Sequence, residues 1–358
     1  MAKLTEIAWE KFEALALEDK RPYLERSVDD SMPYHTLFAQ QFDRPLLDRL
    51  VTLSNRIRFI AKSREGSLFL KSSLPHKRAM LYFSQPSSRT FLSHLAACQI
   101  LGLTTGSVRD AATSSEFKGE SREDSIRTFS SYFDMIIMRS PEQGLAEKMA
   151  WELSNSDRPI PILNAGSGKD QHPTQALLDI YTLVRSFETK GGLDGRTVTF
   201  CGDLLRGRTV RSLSYLLTNF SGVKQMFVAP KELQVPSDVT AILEKKGVSF
   251  EITDDLRAAT EVSDAIYMTR IQDEWDSSSG ESARIDTSRF KFGAEELACL
   301  GPDGIIMHPL PRRDEISTCC DRDPRAMYWR QMRNGMWIRT ALIAATFGLE
   351  DRILNCGY

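Results

Sequence analysis

The chain has 358 residues, a formal net charge of −2, and 26% charged against 41% hydrophobic residues. That length exceeds one typical core and predicts two domains. The near-neutral balance argues against a nucleic-acid protein, and no apolar run reaches the roughly 20 residues of a membrane span. The N-terminus, Met1-Ala2-Lys3-Leu4, has no signal-peptide pattern. The cysteines, Cys98, Cys201, Cys299, Cys319, Cys320 and Cys356, form no Cys-x-x-Cys pair. They read as reduced thiols of a cytoplasmic protein, with the adjacent Cys319-Cys320 pair incidental rather than redox-active.

Residues 1–34 form a polar leader in which Leu4, Ala8, Phe12 and Leu15 share one helical face. This spacing predicts a short amphipathic helix that covers either the body of the protein, the favoured reading, or a partner. Between His35 and Ile60, the residues Leu46, Leu47, Leu50, Leu53 and Ile57 mark another helix. Arg78–Phe83 reads as a buried strand, and the helical pattern after it runs until Gly102. Ser87-Ser88-Arg89-Thr90 therefore lies on a strand-to-helix turn, where unpaired backbone N–H groups and the helix dipole attract anions. Three hydroxyls and a guanidinium there suit a phosphate; an ordinary serine N-cap is the alternative.

A strand over Thr104–Val108 precedes the polar loop Ala111–Glu120, which reads either as solvated surface or as a segment that swings Lys118 into a site. Asp134–Met138 is a buried strand with Arg139 at its end, where open α/β sheets bind ligands. A helix over Leu145–Leu153 leads to a strand over Ile160–Asn164. His172-Pro173-Thr174-Gln175 then opens a helix through Phe187, with Pro173 in its first turn. His172 and Gln175 either face a ligand there or serve the fold.

The pattern repeats from Thr197, with strands over Thr197–Cys201, Met226–Val228, Val248–Ile252, Ala265–Thr269 and Gly304–His308. Helices are predicted over Thr209–Leu217, Val239–Lys246 and Met332–Gly348. The turn Gly202–Arg208 lacks G-x-G-x-x-G spacing, so no nicotinamide cofactor is expected. Repeated βα units predict an α/β protein with two doubly wound parallel sheets. Arg89, Arg139, His172, Arg208 and Arg270 stand at strand ends or following turns. Several guanidinium groups on separate elements suit substrates rich in phosphate and carboxylate. Neither a Cys–His or Ser–His–Asp nucleophile nor a metal cluster is evident, so the chemistry should rest on positioning and charge stabilisation.

These motifs resemble the aspartate carbamoyltransferase family from about His35 to the C-terminus. The resemblance is carried by Pro86-Ser87-Ser88-Arg89-Thr90, Lys118-Gly119-Glu120, Met138-Arg139, His172-Pro173-Thr174-Gln175 and Gly207-Arg208-Thr209-Val210. Met268-Thr269-Arg270-Ile271-Gln272 and His308-Pro309-Leu310-Pro311-Arg312 complete it. Thr174, Arg270 and Pro309 fit the aspartate rather than the ornithine branch. The resemblance implies the carbamoyltransferase fold, two doubly wound parallel-sheet domains joined by interdomain helices. It implies a carbamoyl-phosphate-binding domain over residues 35–175 and 333–358, and an aspartate-binding domain over 176–332.

The resemblance also implies roles. Ser87, Ser88, Arg89 and Thr90 would hold the phosphate of carbamoyl phosphate, and Arg139 would reach the phosphate and the carbonyl oxygen. Thr90 and His172 would polarise that carbonyl, with Gln175 on the amide. Arg208 and Arg270 would clamp the two carboxylates of L-aspartate, helped by Gln272. The backbone carbonyls of Leu310 and Pro311 would accept from amino groups. Ser114 and Lys118 would enter a neighbouring subunit's site, making the catalytic unit a homotrimer with shared sites, and a regulatory or partner enzyme chain is possible. The products would be N-carbamoyl-L-aspartate and phosphate, a step of pyrimidine synthesis. The chain departs from the family where Ser88 replaces Thr, Phe91 replaces a second Arg, Gln85 replaces an acidic or small residue and Ser140 replaces His. Arg206 adds a positive charge two residues before Arg208. Two other readings are a non-catalytic scaffold of this family and a transferase for another amino acid.

Overall fold

The computed structural model of the chain describes residues 3–27, 30–109, 119–168, 171–273, 276 and 282–358. The chain divides into two compact units, one of Met1–Leu177 with Gly335–Tyr358 and one of Leu178–Asn334. In chain order, the leader holds helices α1 (Trp9–Ala14) and α2 (Leu17–Lys20) and a hairpin of β1 (Glu25–Ser27) and β2 (Asp30–Pro33). The first unit continues with α3 (Arg44–Ile60), α4 (Arg64–Lys71), β3 (Arg78–Phe83), α5 (Ser88–Ile100) and β4 (Thr104–Val108). Next come α6 (Arg122–Ser130), β5 (Met135–Ser140), α7 (Leu145–Ser154) and β6 (Ile162–Ser167).

The chain enters the second unit within α8 (Pro173–Phe187). There it forms β7 (Thr197–Cys201), α9 (Arg208–Leu217), β8 (Lys224–Val228), α10 (Ser237–Lys245) and β9 (Phe250–Thr253). α11 (Leu256–Glu261), β10 (Ala265–Met268), α12 (Ala294–Cys299) and β11 (Ile305–Met307) follow. The chain leaves that unit within α13 (Tyr328–Thr346) and ends in α14 (Glu350–Leu354).

Each unit is built on a parallel sheet, with strand order β4-β3-β5-β6 in the first and β11-β10-β7-β8-β9 in the second. The predicted doubly wound α/β architecture is the one observed. All six residues of β5 are buried, as expected of a central parallel strand covered on both faces. In the first sheet the strand order reverses between β3 and β5; in the second it reverses between β7 and β10. Such reversals splay the flanking connections apart and open a crevice at the carboxyl ends of the strands. Both groups of candidate residues hang from these two reversals.

Several boundaries differ from the sequence reading. The fourth predicted strand of the first unit starts at Ile162 rather than Ile160, because Pro161 has no N–H to donate to the ladder. Arg139 is the penultimate residue of β5 rather than a residue beyond it. The helix predicted from Leu46 to Ile57 is α3, capped by Asp43, whose carboxylate accepts from the Leu46 N–H at 3.0 Å.

The short helix predicted on Leu4, Ala8, Phe12 and Leu15 is not continuous. Leu4 lies in a 3₁₀ turn and Phe12 in α1, and Ala8 between them is exposed. The predicted role does hold: Leu4, Phe12 and Leu24 are fully buried in one cluster with Ile126, Met149 and Leu153. Trp151 Nε1 donates to the Ile7 carbonyl at 2.8 Å, and Lys20 pairs with Glu147 at 2.6 Å. Arg26 in β1 donates to the Ala345 carbonyl and pairs with Asp30 and Glu350. Burying an apolar side chain of this size contributes about 2 kcal/mol. Deleting residues 1–33 is therefore expected to lower the melting temperature by about 5 °C or more. An unchanged melting temperature of the truncated chain in calorimetry would contradict this packing account.

Candidate active site

In the first unit the phosphate-type turn forms because β3 ends at Phe83 and α5 begins at Ser88. Ser87 is the N-cap, in extended backbone conformation, and its side chain makes no capping hydrogen bond. Ser88, Arg89 and Thr90 are the first three helical residues, whose N–H groups have no intrahelical acceptor. Ser88 and Arg89 are exposed, while Thr90 is nearly buried. A polyanion is the ligand class such a helix entry favours.

Arg139 is brought beside this turn by sheet register, since Phe83 lies opposite Arg139 across the β3–β5 ladder. The Arg139 carbonyl accepts from the Gln85 N–H and the Ser84 hydroxyl, both at 3.3 Å, and so clips the turn to the end of β5. The Arg139 side chain is only 8% exposed, and its Nη1 donates to the Ala165 carbonyl at 3.2 Å. His172, 4% exposed, stands just ahead of α8, and its carbonyl accepts from the Gln175 and Ala176 N–H groups at 3.0 and 3.2 Å.

Gly166 reports how closely these two groups meet. Its φ is +120°, and a Cβ there would lie 2.7 Å from Arg139 Nη1 and 3.4 Å from His172 Cδ2. The guanidinium and the imidazole thus converge on one backbone position at the end of β6. Asn164 fixes that backbone: its amide donates to Leu37 O at 2.9 Å and Ser167 Oγ at 3.0 Å, while its Oδ1 accepts from Gly166 N at 2.8 Å. Gln175, 6% exposed, lies on the first turn of α8. The first unit thus gathers Ser87, Ser88, Arg89, Thr90, Arg139, His172 and Gln175 at the carboxyl edge of its sheet. The sequence reading singles out neither Asn164 nor Gly166; a glycine within the last residues of a buried strand, where another group approaches the backbone closely, is the signal for the latter.

His94, one turn along α5 from Thr90, is fully buried and its Nδ1 bonds the Thr90 carbonyl at 2.8 Å. Burial, then the neighbouring Arg339 charge, holds His94 far below its ordinary pKa and keeps it neutral. Nδ1 therefore carries the proton it donates to Thr90, locking the first turn of the helix.

In the second unit Arg208 is the first residue of α9, after Gly207, and Arg270, Ile271 and Gln272 follow β10 one residue on, after Thr269. Asp203, fully buried, accepts from the N–H groups of Arg206 and Gln272, both at 3.0 Å. One carboxylate thereby fastens the turn after β7 to the turn after β10, which carry Arg208 on one side and Arg270 and Gln272 on the other. Arg270 Nη1 donates to the Ile271 carbonyl at 2.8 Å and lies 3.7 Å from Asp273.

Arg206, counted from sequence as an added charge near Arg208, is committed elsewhere. Its Nη1 donates to Asp276 Oδ1 and Ser282 Oγ, both at 2.8 Å. Its charge is neutralised within the unit, because Asp276 supplies a carboxylate 70 residues on that sequence spacing does not reveal.

The Leu310-Pro311 segment is held by His308. Leu310 has φ +56° and a cis bond to Pro311. Its N–H donates to His308 Nδ1 at 2.7 Å, so the His308 proton sits on Nε2, 2.6 Å from Glu315. Burial keeps His308 below its ordinary pKa even though Glu315 opposes that shift. The neutral ring, anchored on Glu315, fixes the backbone that presents the Leu310 and Pro311 carbonyls. Glu315 is a positioning group that the sequence reading missed.

Ser114 and Lys118 lie outside the described residues. Among the described residues no group of His, Cys, Asp and Glu has the arrangement of a metal site, and all six cysteines are free thiols.

Comparison with known proteins matches two consecutive family models to this chain. One, the carbamoyl-phosphate-binding domain of aspartate/ornithine carbamoyltransferase, matches residues 34–185. The other, the aspartate/ornithine-binding domain, matches residues 194–346. The chloroplastic aspartate carbamoyltransferase of Arabidopsis thaliana is 42% identical over 85% of this chain and 75% of its own length. The aspartate carbamoyltransferase catalytic subunit of Methanocella arvoryzae is 37% identical over 88% of this chain and 98% of its own. Among solved structures, aspartate transcarbamoylase from Trypanosoma cruzi, in complex with carbamoyl phosphate and aspartate, superposes with a TM-score of 0.76. It is 37% identical and covers 87% of this chain and 95% of its own.

Proposed function

The chain belongs to the aspartate/ornithine carbamoyltransferase family, and we propose that it transfers the carbamoyl group of carbamoyl phosphate to the amino group of L-aspartate. The observation that carries this reading is the convergence of Arg139 and His172 on Gly166 beside a serine-rich helix entry. A buried guanidinium and an imidazole aimed at one point suit an oxyanion that develops there. In the reaction the uncharged α-amino group attacks the carbonyl carbon and forms the N–C bond. Negative charge moves onto the carbonyl oxygen, where Arg139, His172 and the Thr90 hydroxyl stabilise it. The C–O bond to phosphate then breaks, and phosphate leaves with the proton from the amine. Ser87, Ser88, Arg89, Thr90 and Arg139 bind the phosphate, and Gln175 orients the amide. Arg208, Arg270 and Gln272 bind the aspartate carboxylates, and the Leu310 and Pro311 carbonyls accept from amino N–H groups. The products are N-carbamoyl-L-aspartate and phosphate, and the step belongs to pyrimidine synthesis.

Arg270→Ala is expected to raise the KM for aspartate and lower kcat/KM by about a hundredfold, the cost of one lost charged donor. Binding of inorganic phosphate should stay within about twofold of wild type. Equal losses for both ligands, measured by steady-state kinetics and calorimetry, would remove Arg270 from the aspartate half.

The active form in this reading is a homotrimer with Ser114 and Lys118 donated across the subunit boundary, and a regulatory or partner enzyme chain is a possible further component. Mixing Lys118→Ala with His172→Ala chains, each nearly inactive alone, should restore a fraction of wild-type activity after subunit exchange. Exchange without recovery would assign Lys118 to its own chain. A cytoplasmic location completes the reading. It rests on the six free thiols; the plant relatives are named chloroplastic, and cell fractionation distinguishes the two.

A further inference from the structure

Phe91 and Arg109 form a unit that none of the assigned roles uses. Phe91 is on the first turn of α5, four residues after Ser87, and its N–H donates to the Ser87 carbonyl at 3.1 Å. Residues spaced by four share a helix face, so the Phe91 ring lies on the Ser87 side of the turn. The ring is 6% exposed and is held edge-on by Phe83, with centroids 5.3 Å apart. Arg109 follows β4, one residue past the Tyr82–Val108 pair in the β3–β4 ladder. Its guanidinium carbon sits 4.4 Å from the Phe91 ring centroid, while the side chain as a whole is exposed.

An exposed arginine gives up considerable rotamer freedom when held in one place. A cation near a helix N-terminus is also opposed by the dipole. Arg89 and Arg109 both stand at that end of α5, an arrangement that becomes favourable when an anion lies among them. The aromatic face supplies the anchor that keeps the second guanidinium there.

We infer that Arg109, seated on Phe91, is a further specificity-determining residue of the phosphate half-site, adding to Arg89 and Arg139 another cation that favours doubly charged phosphate. The inference rests on reading the Ser87–Thr90 turn as that half-site, and inorganic phosphate is the probe that separates the two. Calorimetric titration of the full chain at pH 8 should give a Kd for phosphate that rises about threefold to fivefold in Arg109→Ala. The salt dependence of binding should fall in the same variant, which a merely structural role would not move. Phe91→Leu, which removes the ring and keeps an apolar side chain, should match Arg109→Ala, and the double variant should be no weaker than either. Arg109→Lys should recover part of the affinity. Unchanged phosphate binding in Arg109→Ala, while Arg89→Ala abolishes it, overturns this inference alone. Additive losses from Phe91→Leu and Arg109→Ala overturn the seat. Failure of the wild-type chain to bind phosphate overturns both this inference and the half-site. Weakened phosphate binding in Arg109→Ala upholds the inference even if the chain transfers no carbamoyl group.

Discussion

Arg139→Ala is expected to lower kcat/KM by about a thousandfold, near the upper end for removal of one preorganised oxyanion donor. The side chain is 8% exposed at the carboxyl end of a central strand, and its Nη1 is oriented by the Ala165 carbonyl at 3.2 Å. Its strength follows from that setting. The guanidinium is aimed before substrate arrives, so no reorganisation accompanies the chemical step. Its backbone also clips the Ser84–Gln85 turn, but that contact uses the Arg139 carbonyl and survives the substitution. The melting temperature should therefore move by only a few degrees while activity collapses. Arg139→Lys restores the charge without the planar fork and should recover only part of the loss. A fall of less than tenfold in steady-state kinetics would mean that Arg139 does not face the developing charge.

The second large effect is expected from Gly166→Ala, at a position that touches no substrate in the proposed scheme. With φ at +120° the backbone occupies a region nearly closed to residues with a side chain. The new Cβ would stand 2.7 Å from Arg139 Nη1, and the far end of the arginine is what can yield. Displacing a catalytic group by about 1 Å is enough for a loss of about a hundredfold in kcat. The diagnostic is non-additivity. In an Arg139→Ala background Gly166→Ala should cost little more, because the group it displaces is already gone. Equal losses in both backgrounds would show that the glycine acts through backbone strain alone.

Much of this arrangement is legible in the sequence, because it is written in local patterns. The buried parallel strand β5 opens on a continuous apolar run, Met135–Met138, and the change to helical spacing after Ser87 marks the helix entry. The residues at strand ends follow from the general position of ligands in open α/β sheets. What escapes is non-local. Arg206 reads as an available cation until Asp276 and Ser282 are found against it. The convergence of Arg139 and His172 depends on the β5–β6 register and on the Gly166 backbone, neither of which sequence spacing encodes. The Leu4–Leu15 stretch of the leader reads as one short amphipathic helix, yet the leader folds as a 3₁₀ turn, the short helices α1 and α2 and a hairpin, because Trp151, Glu147 and Ala345, all distant in sequence, supply its partners. Phe91 reads as a lost charge in the phosphate turn, whereas the structure sets Arg109 above its ring.

The most direct measurement incubates the purified full chain with carbamoyl phosphate carrying an isotopically labelled carbon and a panel of amino acids that includes L-aspartate and L-ornithine, with the products resolved by mass spectrometry. The account predicts label in N-carbamoyl-L-aspartate with one phosphate released per turnover, and none above background in the ornithine product. Label in another amino acid at the expense of aspartate would contradict the substrate assignment. No transfer to any amino acid by a folded, phosphate-binding chain would contradict the proposed activity itself.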